Sequence, residues 1–482
     1  MSNLLSLSHY LPELVLIGVI LIAIVIDLIP STRRFTKGII LAGLIIVAVF
    51  LVQSDTYALS LFMGMSAHDP FGTFFKWIFI LATFFIILIA RYDDSMDQAV
   101  AGEFNIILLI AMFGLFLMAT ATNLVMVYLA IETVSISSYI LAGMLRNDVK
   151  SNEASLKYVI FGAFASGLML YGFSWLYGLA GSTDLSAIRE VLSIQEGPVF
   201  VVYMSILMVL VGIGYKLSMV PFHYWTPDVY EGAPTPLTAY LSVAPKAAGL
   251  ALLIRFFHMT FTTDAGSVVA QVNWTVLFAV LSALTMTVGN LLALRQENVK
   301  RLFAFSSIAH AGYMLMVIPV LSTDSNSAIM FYLVPYLFMN IGVFLITITV
   351  ANHTGSYDLS EWKGLGKRMP VLSALMVLFL MSLTGLPPTA GFIGKVYLFS
   401  VLIDHQQFYL LAVIGVVNSV ISLFYYFRIV RQMYLVDSDI DTAIHPHPIL
   451  KWSIVTCAIP ILLLGVYWGP VIDWVSASLS MF

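Results

Sequence analysis

Four lysines, Lys157, Lys216, Lys246 and Lys395, fall inside stretches of the chain that otherwise read as membrane-spanning helix. One lysine at the centre of a spanning helix costs roughly 2.5 to 3.5 kcal/mol, so four facing lipid would cost on the order of 10 kcal/mol. They must face protein interior or water. Amines in such places can accept and release protons. One carboxylate, Glu132, lies well inside a span, in the run Tyr128-Leu-Ala-Ile-Glu132-Thr133. Burial apart from a partner disfavours the charged form of acid and amine alike, so the set invites ion pairing or proton exchange. Glu13 and Asp27 lie near the ends of the first span, where water is expected to reach them. His310, in Ser306-Ser307-Ile-Ala-His310-Ala-Gly312-Tyr313, adds a group whose charge can switch near neutral pH. Plainer readings stand beside these: a static Glu132–lysine pair, a hydrogen-bonded core histidine, and a Lys157 that snorkels to the surface.

The composition sets what must position these groups. With 60% apolar residues, 10% charged residues and a mean hydropathy of +0.96, the chain reads as an all-α polytopic membrane protein. A net charge of -4 spread over short loops suggests neither nucleic-acid binding nor a polybasic anchor. The single cysteine, Cys457, excludes a disulfide framework and an iron–sulfur cluster ligated within this chain. His445-Pro-His447 is a short loop pair with no thiol nearby, and metal binding is not expected there. No basic region precedes the first apolar stretch, and residues 12–29 read as a retained helix rather than a signal peptide.

A span needs about 17 to 25 apolar residues, and fourteen candidates appear. They lie near 12–29, 36–53, 71–90, 104–119, 123–145, 153–180, 198–220, 237–258, 270–294, 302–320, 327–350, 370–402, 407–434 and 448–478. Alternating the connections places Arg33, Arg34, Lys37, Arg91, Arg146, Lys150, Arg295, Lys300, Arg301, Lys363, Lys367, Arg368, Arg428, Arg431 and Lys451 on one side. The other side holds Lys76, Arg189 and Arg255. Basic loops mark the cytoplasmic face, so both termini are expected on the opposite one.

Two spans carry helix breakers beside their lysine: Lys216-Leu-Ser-Met-Val-Pro221 in the seventh, and Gly385-Leu-Pro387-Pro388-Thr-Ala-Gly391-Phe-Ile-Gly394-Lys395 in the twelfth. Both should kink or unwind. Unwound backbone at membrane depth is tolerated only where it is buried in protein or lines a hydrated cavity. A packing kink is the plainer reading of either break. The expected organisation is three N-terminal helices (1–100), a first five-helix repeat (101–260), a second, inverted five-helix repeat (265–435) and a final helix (445–482). An odd number of helices per repeat supplies the inversion.

The run Pro221-Phe-His-Tyr-Trp-Thr-Pro-Asp-Val-Tyr-Glu-Gly-Ala-Pro-Thr-Pro236, with Lys246 and Leu-Leu-Ile-Arg255-Phe after it, closely resembles the antiporter-like, proton-translocating membrane subunits of respiratory complex I. Glu132-Thr133, Ser-Ser-Ile-Ala-His310, Lys363-Gly-Leu-Gly-Lys-Arg-Met-Pro370 and the Gly385 to Lys395 run extend the likeness over about residues 100 to 430. Within that family the Pro-Asp-Val-Tyr-Glu-Gly wording and lysine at 395 favour subunit N over subunit M, and the end soon after the fourteenth span argues against subunit L.

The resemblance implies a role for each charge. Glu132 would tune a lysine, with Lys157 as a possible partner; Lys216 would carry protons on the input side. Lys246 would be the central relay, His310 a link and Lys395 the output carrier. Family members differ in Lys or Glu at this last position, so equal proton stoichiometry does not follow. It also implies no cofactor in this chain: flavin, iron–sulfur clusters, NADH and quinone belong to other subunits, and neighbouring antiporter-like and small membrane subunits are the partners. A subunit of a multi-chain sodium/proton antiporter and a passive membrane scaffold are the alternatives.

Overall fold

Backbone that crosses lipid must satisfy its own polar groups, so the apolar runs form helices. The computed structural model describes residues 3–53, 57–97, 100–194, 199–262, 274–320, 322–406, 408–438 and 442–481. The first residues of the expected seventh, ninth and thirteenth spans (198, 270–273 and 407) lie outside them. Among the described residues thirteen helices are long and apolar enough to cross a membrane. The first six are Leu11–Leu28, Thr36–Val52, Pro70–Ile89, Ala101–Thr120, Leu124–Ala142 and Val149–Ala180. The seventh is split into Val199–Leu217 and Trp225–Gly232; the eighth is Thr235–Phe261. Then come Trp274–Ala293, Val299–Leu315 and Thr323–Thr354. The twelfth expected span is two 15-residue helices, Pro370–Thr384 and Ala390–Asp404, and Tyr409–Leu435 and Pro448–Val466 complete the order. One short antiparallel pair, Leu59–Leu61 with Ser66–His68, caps the end opposite the basic loops, in register Leu59 to His68.

The eighth, tenth and eleventh spans are covered on nearly all sides, whereas the first, second and sixth expose apolar flanks such as Leu21, Ile45 and Phe164. Helices apolar all round belong at the centre of a large bundle. Lys246 and His310 ride on two of these central helices, which is why neither reaches the periphery.

Two local structures recur along the chain. Asn123 caps the fifth span through its side chain and bridges to Asp184; Asn298 caps the tenth and bridges to Asp358. The sixth and eleventh spans, 32 residues each, both end on a left-handed glycine, Gly181 (φ 66°) and Gly355 (φ 71°). Glycine meets that conformation without a Cβ penalty.

Candidate functional site: a buried line of amines, phenols and amides

Each broken helix frees backbone groups, and nearby side chains take them up. At the first break the helix ends at Leu217, Ser218 turns with φ 57°, and Val220–Pro221 is cis. The Trp225 indole donates to the Tyr215 carbonyl (2.9 Å), and the Val220 amide donates to Thr285 Oγ1 (3.0 Å). At the second break Gly385 turns with φ 87°, Pro387–Pro388 is cis, and the Gly391 amide donates to Ser382 Oγ (3.0 Å). The Lys395 ammonium donates to the freed Thr384 carbonyl (2.8 Å) and to Ser419 Oγ (3.0 Å). A cation at a helix C-terminus is favoured by the aligned peptide dipoles.

Gly385 has a second constraint: a Cβ built on it would stand 2.7 Å from Lys395 Cδ. Gly385→Ala is therefore expected to lose about 1 to 2 kcal/mol from the left-handed backbone alone and to displace the lysine. A lower unfolding midpoint together with impaired turnover of the assembled protein checks this; unchanged values in both would refute it.

Lys216 is buried, and among the described residues its ammonium has no hydrogen-bond partner. The carboxylate acting on it electrostatically is Glu132, half-buried on the fifth span with Oε1 unpartnered. The Lys216 stem packs on Gly249, one turn beyond Lys246 on the same face of the eighth span. Lys246, wholly buried, donates to Ser307 Oγ (2.9 Å) on the tenth span. The neighbouring Ser306 shares a 2.5 Å hydrogen bond with the Tyr426 hydroxyl, which lies 3.2 Å from His310 Nε2. His310 Nδ1 lies 2.7 Å from the Tyr332 hydroxyl.

From there the polar line continues to the second break. The Tyr425 and Tyr426 rings lie 4.4 Å apart, and Tyr425 donates to Asn290 Oδ1 (2.9 Å). Asn290 Nδ2 and Ser419 Oγ each reach the Tyr313 hydroxyl at 3.4 Å. Ser419 holds Lys395, whose ammonium also lies 4.4 Å over the Tyr313 ring. Hydroxyls, amides and imidazole can both donate and accept hydrogen bonds, so they can join amines separated by several helices. The structure thus places Glu132, Lys216, Lys246, His310 and Lys395 along one largely buried polar line.

Lys157 stands apart. It is about one-third exposed and pairs with Asp228 (2.6 Å) and Glu153 (2.7 Å), not with Glu132 as the resemblance suggested. Asp228 and Glu231 also hold Arg301, so Lys157 belongs to a rim network at the basic end.

Three other sequence expectations are corrected. Glu13 is buried rather than water-accessible, and pairs with Lys76 at 2.5 Å. Arg255 is no loop residue: wholly buried, it grips Asp69 with both terminal nitrogens (2.7 and 2.8 Å) and donates to the Ala119 carbonyl (2.9 Å). Lys300 is buried on the first turn of the tenth span. Each looked like loop charge because it falls at the end of an apolar run, where depth depends on neighbours. The phenols and amides of the row were missed. Asn290 and the Tyr425-Tyr426 pair inside apolar spans were the available signal, since such groups rarely face lipid.

Among the described residues no group of three or more His, Cys, Asp or Glu is assembled to hold a metal ion, and His447 caps the last span.

Comparison with known proteins decides the family. A family profile described as "NADH:quinone oxidoreductase/Mrp antiporter, TM" matches residues 121–422. The chain belongs to that family. It is 46% identical to "NADH-quinone oxidoreductase subunit N 2" of Sorangium cellulosum, covering 100% of this chain and 99% of the relative. It is 48% identical to the protein of the same name from Chloroherpeton thalassium, over 90% of this chain and 86% of the relative. A solved chain of respiratory complex I from Thermus thermophilus superposes with a TM-score of 0.81 at 29% identity, covering 97% of this chain and 99% of that one. A chain of the Mrp complex from Dietzia shares the fold alone, with a TM-score of 0.83 at 19% identity, over 98% of this chain and 52% of that one. The family is thus membership in a set of polytopic subunits of larger membrane complexes, and the buried row described above lies almost wholly within the matched segment.

Proposed function

We propose that this chain is the proton-translocating subunit N of an NADH:quinone oxidoreductase, and that protons move along the row from Glu132 and Lys216 through Lys246 and His310 to Lys395. The observation that carries the reading is the row itself: three buried amines on separate helices, Lys216 unpaired beside the eighth span, and Lys246 and Lys395 joined through groups that both donate and accept. Burying an ionic group without a counter-ion costs several kcal/mol, so a merely structural core would favour apolar side chains of similar volume. Alignment at 46% identity over 100% of this chain and 99% of a relative named subunit N favours this subunit over others of the family.

Flavin, iron–sulfur clusters and the quinone reaction are placed in partner subunits, whose redox chemistry perturbs the charges at one end of the row. Spans four to eight and nine to thirteen are read as inverted repeats, supported by the paired Asn caps and the matching glycine-ended helices. The basic loops put the end bearing Arg34, Arg146 and Arg431 in the cytoplasm and both termini on the other side, in the inner membrane.

Lys216→Ala and Glu132→Ala are expected to lower proton translocation by the reconstituted complex about tenfold or more, the scale of a lost acid–base group. The complex should still assemble with its flavin and iron–sulfur partners. Wild-type pumping in both variants would remove the reading. Purification with only polytopic chains and no NADH:quinone reductase activity would point instead to a sodium/proton antiporter.

A further inference from the structure

We propose that Lys300, together with Asp93, is an additional proton-binding site that feeds Lys246 from the basic end of the bundle; this rests on the proton-translocating reading above. Lys300 begins the tenth span beside the partly exposed Arg301, yet its own side chain turns inward and is only 2% exposed. Its ammonium donates to the Ala233 carbonyl (2.6 Å), at the end of the second half of the broken seventh span, and lies 4.6 Å over the Tyr357 ring. A carbonyl and a ring hold this cation. The nearby acids, Asp93, Glu231 and Asp148, favour its charge electrostatically, and the like charge of Lys150 acts against them.

Asp93 is the buried member of those acids. Its Oδ1 accepts from the Ser95 amide (3.1 Å) and hydroxyl (2.7 Å), while Oδ2 is buried and, among the described residues, unpartnered. Burial pushes this carboxyl up from its ordinary value, and the Ser95 hydrogen bonds hold it back. Ser95 also lines a surface cavity of about 540 Å³ with Asp97, Arg146, Asn147 and Asp148. Water therefore comes within one side chain of Asp93.

The inward direction is set by two helices. Ser307, which holds Lys246, lies two turns along the tenth span from Lys300 on the same face, a rise of about 10 Å. The eighth span, which carries Lys246, starts at Thr235, whose hydroxyl bonds the Tyr357 hydroxyl (2.8 Å). Both helices that make the Lys246–Ser307 contact thus begin at the Lys300 cluster. Taking up a proton at Asp93, passing it to the Lys300 amine and releasing it inward needs no other reactant.

The competing role is a clamp on the Ala233 carbonyl, and arginine separates the two. Lys300→Arg keeps the charge and donor but cannot release a proton at accessible pH. In the complete complex in proteoliposomes, Lys300→Arg is expected to assemble normally and to lower proton translocation per NADH oxidised by the share that this subunit carries, as Lys216→Ala does. A wild-type ratio in Lys300→Arg overturns the proposal in favour of the clamp. Should that variant fail to assemble, Asp93→Asn decides, because it leaves the Ala233 contact in place: a similar loss supports the site and a wild-type ratio overturns it. Lys216→Ala runs alongside. If it too pumps normally, the underlying translocation reading fails; if it alone is impaired, only the Lys300 site fails.

Discussion

Lys246→Met is expected to lower coupled NADH:quinone turnover and proton translocation about tenfold or more while leaving the complex assembled. The amine is wholly buried at the centre of the bundle and contacts a hydroxyl, Ser307 Oγ, which keeps its own bond to the Ala304 carbonyl (2.7 Å). Methionine is similar in length, apolar and flexible, so it fills the site without a cavity. Replacing a buried ionic group by an apolar one of similar volume is often neutral or stabilising. Function and stability should therefore separate at this position. The measurement is the rate of acidification of proteoliposomes at matched complex content, with subunit composition read from the same preparation. Normal acidification would break the row at its midpoint, because Lys216 and His310 have no other amine between them in the observed line.

Arg255→Met should do the opposite, destabilising the protein with no direct part in proton transfer. Arg255 and Asp69 are both fully buried and paired through two hydrogen bonds, tying the eighth span to the start of the third. Removing one partner leaves the other charge unpaired and costs about 3 to 5 kcal/mol. Asp69 also caps the third span, its Oδ1 accepting from the Gly72 amide (2.8 Å), so the stranded carboxylate disturbs that helix too. Arg255→Met combined with Asp69→Asn removes the stranded charge but keeps a capping oxygen, and should recover part of the loss. Thermal unfolding of the purified complex reports both. A single variant as stable as wild type, or a double variant worse than the single, would contradict the argument.

Much of the architecture was legible before any coordinates. Lengths of apolar sequence relate directly to helix number, because lipid leaves the backbone no alternative partner, and the breaks at Pro221 and at Gly385 to Pro388 are local chemistry. Lys216, Lys246, His310 and Lys395 stood out for the same reason: a polar group in an apolar run is costly wherever the run packs. The limits show at Lys76, Arg255 and Lys300. Each sits at the end of a run, where one more turn of helix or one neighbouring span decides between water and burial, and no local pattern carries that information. Lys157 failed in the other direction, because its acid, Asp228, lies 71 residues away on the second half of the seventh span.

The sequence by itself determined the class of molecule, the run of spans, the two broken helices and three of the buried amines, Lys216, Lys246 and Lys395, since all of these follow from the cost of exposing polar groups to lipid. Only the tertiary structure decided which groups meet. It set Glu132 against Lys216 rather than Lys157, threaded Ser307, Tyr426, Tyr425, Asn290 and Tyr313 between the amines, and turned Lys300 inward beside Asp93. Those pairings join residues far apart in the chain, and hydrogen bonds act over about 3 Å. Helix packing alone brings them within that reach.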